Sequence, residues 1–138
     1  MAQLNPYLHL DTTAREAMTF YQGVLGGELS IMTFGDMGAP EGVDPEGVMH
    51  AQLDVPGGIT LMASDLPPGA DPVPVQGMTV SISGDEVDTL RGWFSGLSEG
   101  GQIQMPLEKQ MWGDEMGAFV DRFGVPWLIN ISLGGAPE

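Results

Sequence analysis

The segment FYQGVLGGEL, residues 20–29, reads as the apolar end of a helix, two consecutive glycines and the start of a strand. The same order returns at WFSGLSEGGQI, residues 93–103, where Phe20 to Trp93 is a step of 73 residues and Gly26 to Gly100 a step of 74. Upstream of each helix lies a short alternating strand, Tyr7-Leu8-His9-Leu10 in one copy and Thr79-Val80-Ser81-Ile82-Ser83 in the other. Self-similarity at a fixed spacing over about half the chain marks two copies of one supersecondary unit.

The periodicity within each copy identifies the elements. Ala14, Ala17, Met18, Tyr21 and Leu25 form one apolar helical stripe, and Thr13 with Glu16 three residues later predicts a capping box. Val87, Leu90, Phe94 and Leu97 repeat the stripe after Asp85, which is expected as the N-cap, and Gly100-Gly101 supplies the stop. Short strands follow each helix, near 29–34, 48–55 and 59–64, then near 103–108, 118–121 and 127–132. The expected fold is therefore α+β, two βαβββ modules at about 1–66 and 77–134 joined by a Pro/Gly-rich linker. The Gly/Pro-rich stretch 35–47 is expected to be a loop between strands.

Composition narrows the partners. The 138 residues carry 19 Asp and Glu against 4 Lys and Arg, a formal net charge of −15, so neither a phosphate backbone nor an anionic membrane surface finds a complementary field. Acidity of this kind serves solubility, for instance as an adaptation to salt. The chain has no Cys, which removes disulfides, thiol catalysis and thiolate metal sites. No apolar run reaches the ~18 residues of a spanning helix, and the N-terminus lacks the basic and apolar regions of a leader, so a cytoplasmic protein is expected.

Strand parity predicts two faces for each sheet. Leu8, Leu53, Leu61, Val80 and Ile129 are expected beneath the helices, with Met49, Ile59, Trp127 and Ile131 beside them. The other parity gathers Tyr7, His9, His50, Gln52, Met62, Thr79, Ser81 and Asn130 on a concave surface of hydroxyls, amides, methionines and two imidazoles. A lone strand histidine usually serves as a hydrogen-bonded structural residue, but two on one face mark His9 and His50 as candidate proton movers. Trp112, in a Trp-Gly-Asp turn, serves either as a tucked turn anchor or as a lid.

The opening NPYLHL, the REAMTFYQGVLGGEL helix and strand, VMHAQL, and the C-terminal MPLEKQMWGDEMGAFVDRFGVPWLINI together resemble the PhnB-like branch of the glyoxalase/bleomycin resistance/dioxygenase superfamily, also called the vicinal oxygen chelate fold. Asp121, Phe123, Gly124 and Trp127 of DRFGVPW, with PLEKQMWGD before them, carry the branch, whereas FYxxVLGG alone indicates the superfamily. The resemblance implies paired modules that build a cupped mixed sheet, and a homodimer. It also implies that metal-dependent members place ligands on the first and last strand of each module, here near Asn5, Met62 or Thr60, Thr79, and Leu128 or Asn130. None of these is His, Asp or Glu, so no metal or other cofactor is expected. Asp54, Asp65, Asp114, Glu115 and Asp121 are expected as solvated carboxylates near turns, with Asp114 able to join the histidines if the Trp112 turn folds over the cavity. Proteins of the branch also carry a demethylubiquinone methyltransferase label, but the Gly-rich turn of an S-adenosylmethionine pocket is not readable here.

Two functions fit the residues. The cavity between the modules binds a small metabolite without chemistry, anchored by Asn5, Tyr7, Gln52, Met62, Thr79, Ser81, Trp112 and Asn130. Alternatively the chain is an enzyme, with His9 or His50 moving a proton or with a metal-dependent lyase or dioxygenase chemistry of glyoxalase type. Fold alone does not choose between them.

Overall fold

The computed structural model describes residues 2–39, 41–66 and 70–133. The chain divides into two compact units, Met1–Pro74 and Val75–Glu138. The first holds β1 (Tyr7–Leu10), α1 (Ala14–Leu25), β2 (Glu28–Thr33), a 3-10 turn at Gly35–Met37, β3 (Val48–Val55) and β4 (Ile59–Asp65). The second holds β5 (Val80–Gly84), α2 (Val87–Ser98), β6 (Gln102–Lys109), β7 (Glu115–Val120) and β8 (Pro126–Ile131). Each unit forms a four-stranded mixed sheet, ordered β1-β4-β3-β2 in the first and β5-β8-β7-β6 in the second. The first strand of each unit pairs parallel to the last, and the other pairs are antiparallel. This is the expected α+β architecture of two βαβββ modules. Residues 67–69 of the expected linker and residue 134 at the expected end of the second module lie outside the described residues.

The double glycines that reveal the repeat have two separate jobs. Gly26 and Gly100 each adopt φ of 79°, the left-handed turn that takes the chain off the helix. The next glycine starts a strand hard against its neighbour. A Cβ on Gly27 would lie 2.3 Å from the Asp54 carbonyl oxygen, and one on Gly101 would lie 2.2 Å from that of Val120.

The apolar stripe of α1 is buried as expected, at Ala14, Ala17, Met18, Tyr21 and Leu25. Its cap is not the expected Thr13/Glu16 box, because Thr13 makes no side-chain capping bond. The Ala14 amide instead donates to Asp65 Oδ1 at 3.0 Å, while Asp65 Oδ2 accepts from the Val48 amide at 2.8 Å. A carboxylate at the end of β4 thus ties the first turn of α1 to the start of β3, a tertiary contact that outcompetes the local cap. In α2 the cap position is Glu86 and not Asp85, and the Glu86 carboxylate turns back to accept the Asp85 amide at 3.0 Å.

Leu8, Leu53, Leu61, Val80 and Ile129 are all buried, as parity predicts. Met49 is not. The β2/β3 register shifts between Met32 and Thr33, so His50 faces Met32, Val48 faces Thr33, and Met49 is the extra residue of a bulge. Val48 takes the core place at 1% exposure, and Met49 is left half-buried, as is Ile59 at the start of β4.

In the second module Phe119 meets Phe94 edge-on at 5.0 Å and 84°, and stacks on Trp127 at 6.4 Å and 11°. Gly117 lets Phe94 approach, since a Cβ there would come within 2.6 Å of its ring. Asp121 is not the solvated carboxylate expected from the sequence. It is 3% exposed, and it accepts from the amides of Phe123 (2.8 Å) and Val125 (3.1 Å) and from Trp127 Nε1 (2.8 Å). The DRFGVPW stretch is a turn wrapped around its own carboxylate, which then fixes the indole of the core.

Candidate functional site

In the first module the residues with no helix over them form a register map. Tyr7 on β1 is level with Met62 on β4, Met62 with Gln52 on β3, and Gln52 with Ser30 on β2. In the adjoining row His9 is level with Ser64, and His50 with Met32. Thr60, Asp54 and Glu28 form the third row. Parity therefore brings Tyr7, His9, His50, Gln52 and Met62 to one open face.

The side chains connect these rows. The Tyr7 hydroxyl lies 3.1 Å from His50 Nδ1. Its ring stands 5.2 Å from that of His9 and 5.5 Å from that of His50, tilted by 38° and 35°. The Ser64 hydroxyl lies 3.5 Å from His9 Nδ1, and Ser64 itself is only 6% exposed, more enclosed than parity alone suggests. Each imidazole thus rests its Nδ1 side on a hydroxyl, and Nε2 is the nitrogen left for another molecule. A hydroxyl both donates and accepts, so either tautomer is accommodated.

Gln52 has a different commitment. Its Nε2 donates to both oxygens of Asp54 at 3.1 and 3.2 Å, and Thr60 Oγ1 donates to the same carboxylate at 3.1 Å. Asp54 is four residues from His50, about 13 Å along the strand at the usual rise.

The second module presents a plainer face. Ser81, Leu128, Ala118 and Met105 lie level in one row, and Ser83, Asn130, Met116 and Glu108 in the next. Asn130 Nδ2 donates to Asp114 Oδ2 at 3.0 Å, so Asp114 has a partner in its own module. Thr79 is exposed just before β5, and Asn5 is half-buried just before β1. Trp112 is 52% exposed at the β6–β7 hairpin, where the Gln110 amide donates to the Asp114 carbonyl at 2.7 Å; it is not a tucked anchor of that turn. At the start of β7, Arg91 of α2 pairs with Glu115 at 2.5 Å; its hydrogen bonds and charge hold that carboxyl below the usual carboxylate range. Glu115 is thus an ion-paired residue, not a free surface carboxylate.

The positions that would carry a divalent ion offer an amide, a thioether or hydroxyl, a hydroxyl, and an alkyl group or amide. Among the described residues no three His, Cys, Asp or Glu side chains are placed to hold a metal. Such a donor set does not suit a divalent catalytic ion, which takes imidazole or carboxylate ligands. Parity extended to β2 would have added Met32 and Ser30 to the face. The Asp54 network depends on side-chain reach and had no signal in the sequence.

A groove of about 680 Å³ opens on the helix side of the first module, between α1 and the 34–47 loop. Arg15 crosses it and donates to the Glu46 carbonyl at 3.1 Å. Its lining carries Asp11, Glu16, Asp44, Glu46 and Asp65 and no histidine; both histidines of the chain stand on the face of the sheet without a helix.

The sequence pattern of the Glyoxalase/Bleomycin resistance protein/Dioxygenase superfamily matches residues 3–129. Protein YjdN of Escherichia coli strain K12 is 30% identical over 140 residues, covering 93% of this chain and 94% of that protein. The crystal structure of PA1353 from Pseudomonas aeruginosa superposes with a TM-score of 0.86 at 39% identity, covering 96% of this chain and 98% of that one. A PhnB protein from Bacillus cereus shares the fold at 22% identity and a TM-score of 0.71, covering 95% and 100% of the two chains. Among the described residues no helix is long and apolar enough to cross a membrane. With its repeated βαβββ module and these matches spanning nearly its whole length, the chain belongs to the Glyoxalase/Bleomycin resistance protein/Dioxygenase superfamily.

Proposed function

We propose that this chain is a PhnB-like member of the superfamily that binds a small metabolite on the open face of the first module's sheet, against Tyr7, His9 and His50, without a resident metal. The observation that carries this reading is the ring cluster. Tyr7 stands 5.2 and 5.5 Å from two imidazoles whose Nδ1 sides rest on hydroxyls. A binding site needs an apolar body with a few directed polar groups. Here the body is the three rings with the Met32 and Met62 thioethers, and the directed groups are the two Nε2 atoms.

The test is native mass spectrometry of the untagged protein after incubation with metabolite extracts, followed by amide mapping of the retained compound on labelled protein. A retained small molecule that shifts the amides of Tyr7, His9 and His50 is the expected result. A retained molecule that shifts only the 34–47 loop, or near-stoichiometric retention of zinc, nickel, manganese or iron(II) that His50→Ala abolishes, would overturn the reading.

A further inference from the structure

Resting on the ligand face assigned above, we propose that the molecule taken there is a flat, neutral acid about as strong as an imidazolium, such as a phenol, an enol or an N–H heterocycle carrying electron-withdrawing groups, held as its anion after passing its proton to His50. The shape requirement comes from the surface. The Tyr7 ring stands 5.2 Å from that of His9 and 5.5 Å from that of His50, with Met62 level with Tyr7 and Met32 level with His50. Rings and thioethers favour contact with a flat unsaturated body.

The acidity comes from the hydrogen-bond inventory and the charge. Gln52 and Thr60 are committed to Asp54, and Ser64 is enclosed beside His9. On this face the imidazole Nε2 atoms, with the exposed Ser30 hydroxyl on the β2 edge, are left to recognise a ligand, and of these the imidazoles are the groups that exchange a proton near neutral pH. A permanent anion would meet the field of a chain with formal charge −15 and be repelled on approach. A cation would seek a carboxylate, and the one on this part of β3, Asp54, is held by Gln52 and Thr60 about 13 Å along the strand from His50. A neutral acid meets neither obstacle. It arrives uncharged, and a proton transfer within the site leaves the net charge of the complex unchanged.

The step balances without a co-reactant. The O–H or N–H bond of the ligand breaks, its electron pair stays on the ligand, and the proton forms a bond to His50 Nε2. The resulting imidazolium then donates from Nδ1–H to the Tyr7 hydroxyl oxygen, 3.1 Å away, which accepts as readily as it donates. The Tyr7 hydroxyl is a positioning group that acts through His50.

The experiment uses 4-nitrophenol, whose anion has its own visible band, 4-nitroanisole, which cannot ionise, and benzylammonium, a cation. They are titrated into the full chain near pH 7, where an ordinary imidazole is mostly unprotonated and much of the free 4-nitrophenol is still neutral, and the band is read against the same concentration of free probe, with amide shifts recorded in parallel. The nitrophenolate band is expected to grow with protein, and the phenol to bind at least about tenfold more tightly than the ether, equivalent to ~1.4 kcal/mol. His50→Gln should abolish the band while the rest of the amide spectrum stays in place, and Tyr7→Phe should weaken it. Equal binding of ether and phenol, tighter binding of the cation, or an unchanged band in His50→Gln overturns the weak-acid assignment. If no probe moves the amides of Tyr7, His9 and His50, the ligand face falls with it.

Discussion

The Asp121 carboxylate gives the sharpest test of how the second module is held together. Asp121→Asn keeps size and shape. Its remaining oxygen can still accept from the Phe123 and Val125 amides, but an NH2 group then faces Trp127 Nε1 at the 2.8 Å where a carboxylate oxygen sits in the wild type. Two donors point at each other in a site that is 3% exposed at Asp121 and 1% at Trp127, so water cannot relieve the conflict. A hydrogen bond to a charged group contributes about 1.5–3 kcal/mol, and a buried donor left unmatched costs about 1–3 kcal/mol. The expected destabilisation is about 3 kcal/mol, a large share of a typical domain stability of about 5–15 kcal/mol. Trp127→Phe removes the indole N–H, so in that background Asp121→Asn should cost only ~1 kcal/mol. The cycle is measured by urea unfolding of all four proteins, followed by far-ultraviolet circular dichroism so that loss of the tryptophan does not alter the probe. A cost below ~1 kcal/mol for Asp121→Asn alone, or an equal cost in both backgrounds, would refute the idea that this carboxylate fixes the indole.

Gly27→Ala and Gly101→Ala should each destabilise by at least ~2 kcal/mol, since the new Cβ meets a carbonyl oxygen at 2.3 or 2.2 Å; in contrast, Gly23→Ala, in open space within α1, should stabilise by about 0.5–1 kcal/mol in the same unfolding assay. Asp65→Ala strands the Ala14 and Val48 amides and should cost about 2 kcal/mol, with faster hydrogen exchange at those two sites and little change in α2. The Arg91–Glu115 pair lowers the pKa of Glu115 in the folded protein, so its contribution is full above the ordinary glutamate pKa and is lost as pH falls through the lowered value. The stability difference between wild type and Glu115→Gln should therefore shrink on acidification; a difference that grows as pH falls would contradict the pairing.

The sequence carried the architecture because the architecture is periodic. Leu8 and Leu10, Val80 and Ile82, and Trp127, Ile129 and Ile131 alternate without interruption, and all seven are buried. Where the alternation failed, a local irregularity intervened. The bulge opposite Met32 and Thr33 exchanges Val48 for Met49, and nothing in the string VMH announces it. The caps failed for a different reason. Thr13 and Glu16 satisfy the local pattern, but Asp65 is 51 residues from the Ala14 amide it accepts, and local patterns are blind to such a partner. The same limit applies to the site. Parity brings Tyr7, His9 and His50 to one face, yet the Tyr7–His50 hydrogen bond and the capture of Gln52 by Asp54 are matters of side-chain reach.

The Asp65 tether also bears on how far the first module tolerates rebuilding. The Phe34 amide donates to the Gly47 carbonyl at 3.0 Å and the Gly35 amide to the Pro45 carbonyl at 2.9 Å, so the base of the 34–47 loop is zipped. At the same point Asp65 grips the Val48 amide at 2.8 Å, two residues before His50. Changes of loop length beyond the zip are thus mechanically insulated from the imidazole. The tip of this loop is the place where a reporter, a tag or an extra recognition segment can be spliced into the chain while the ring cluster keeps its register.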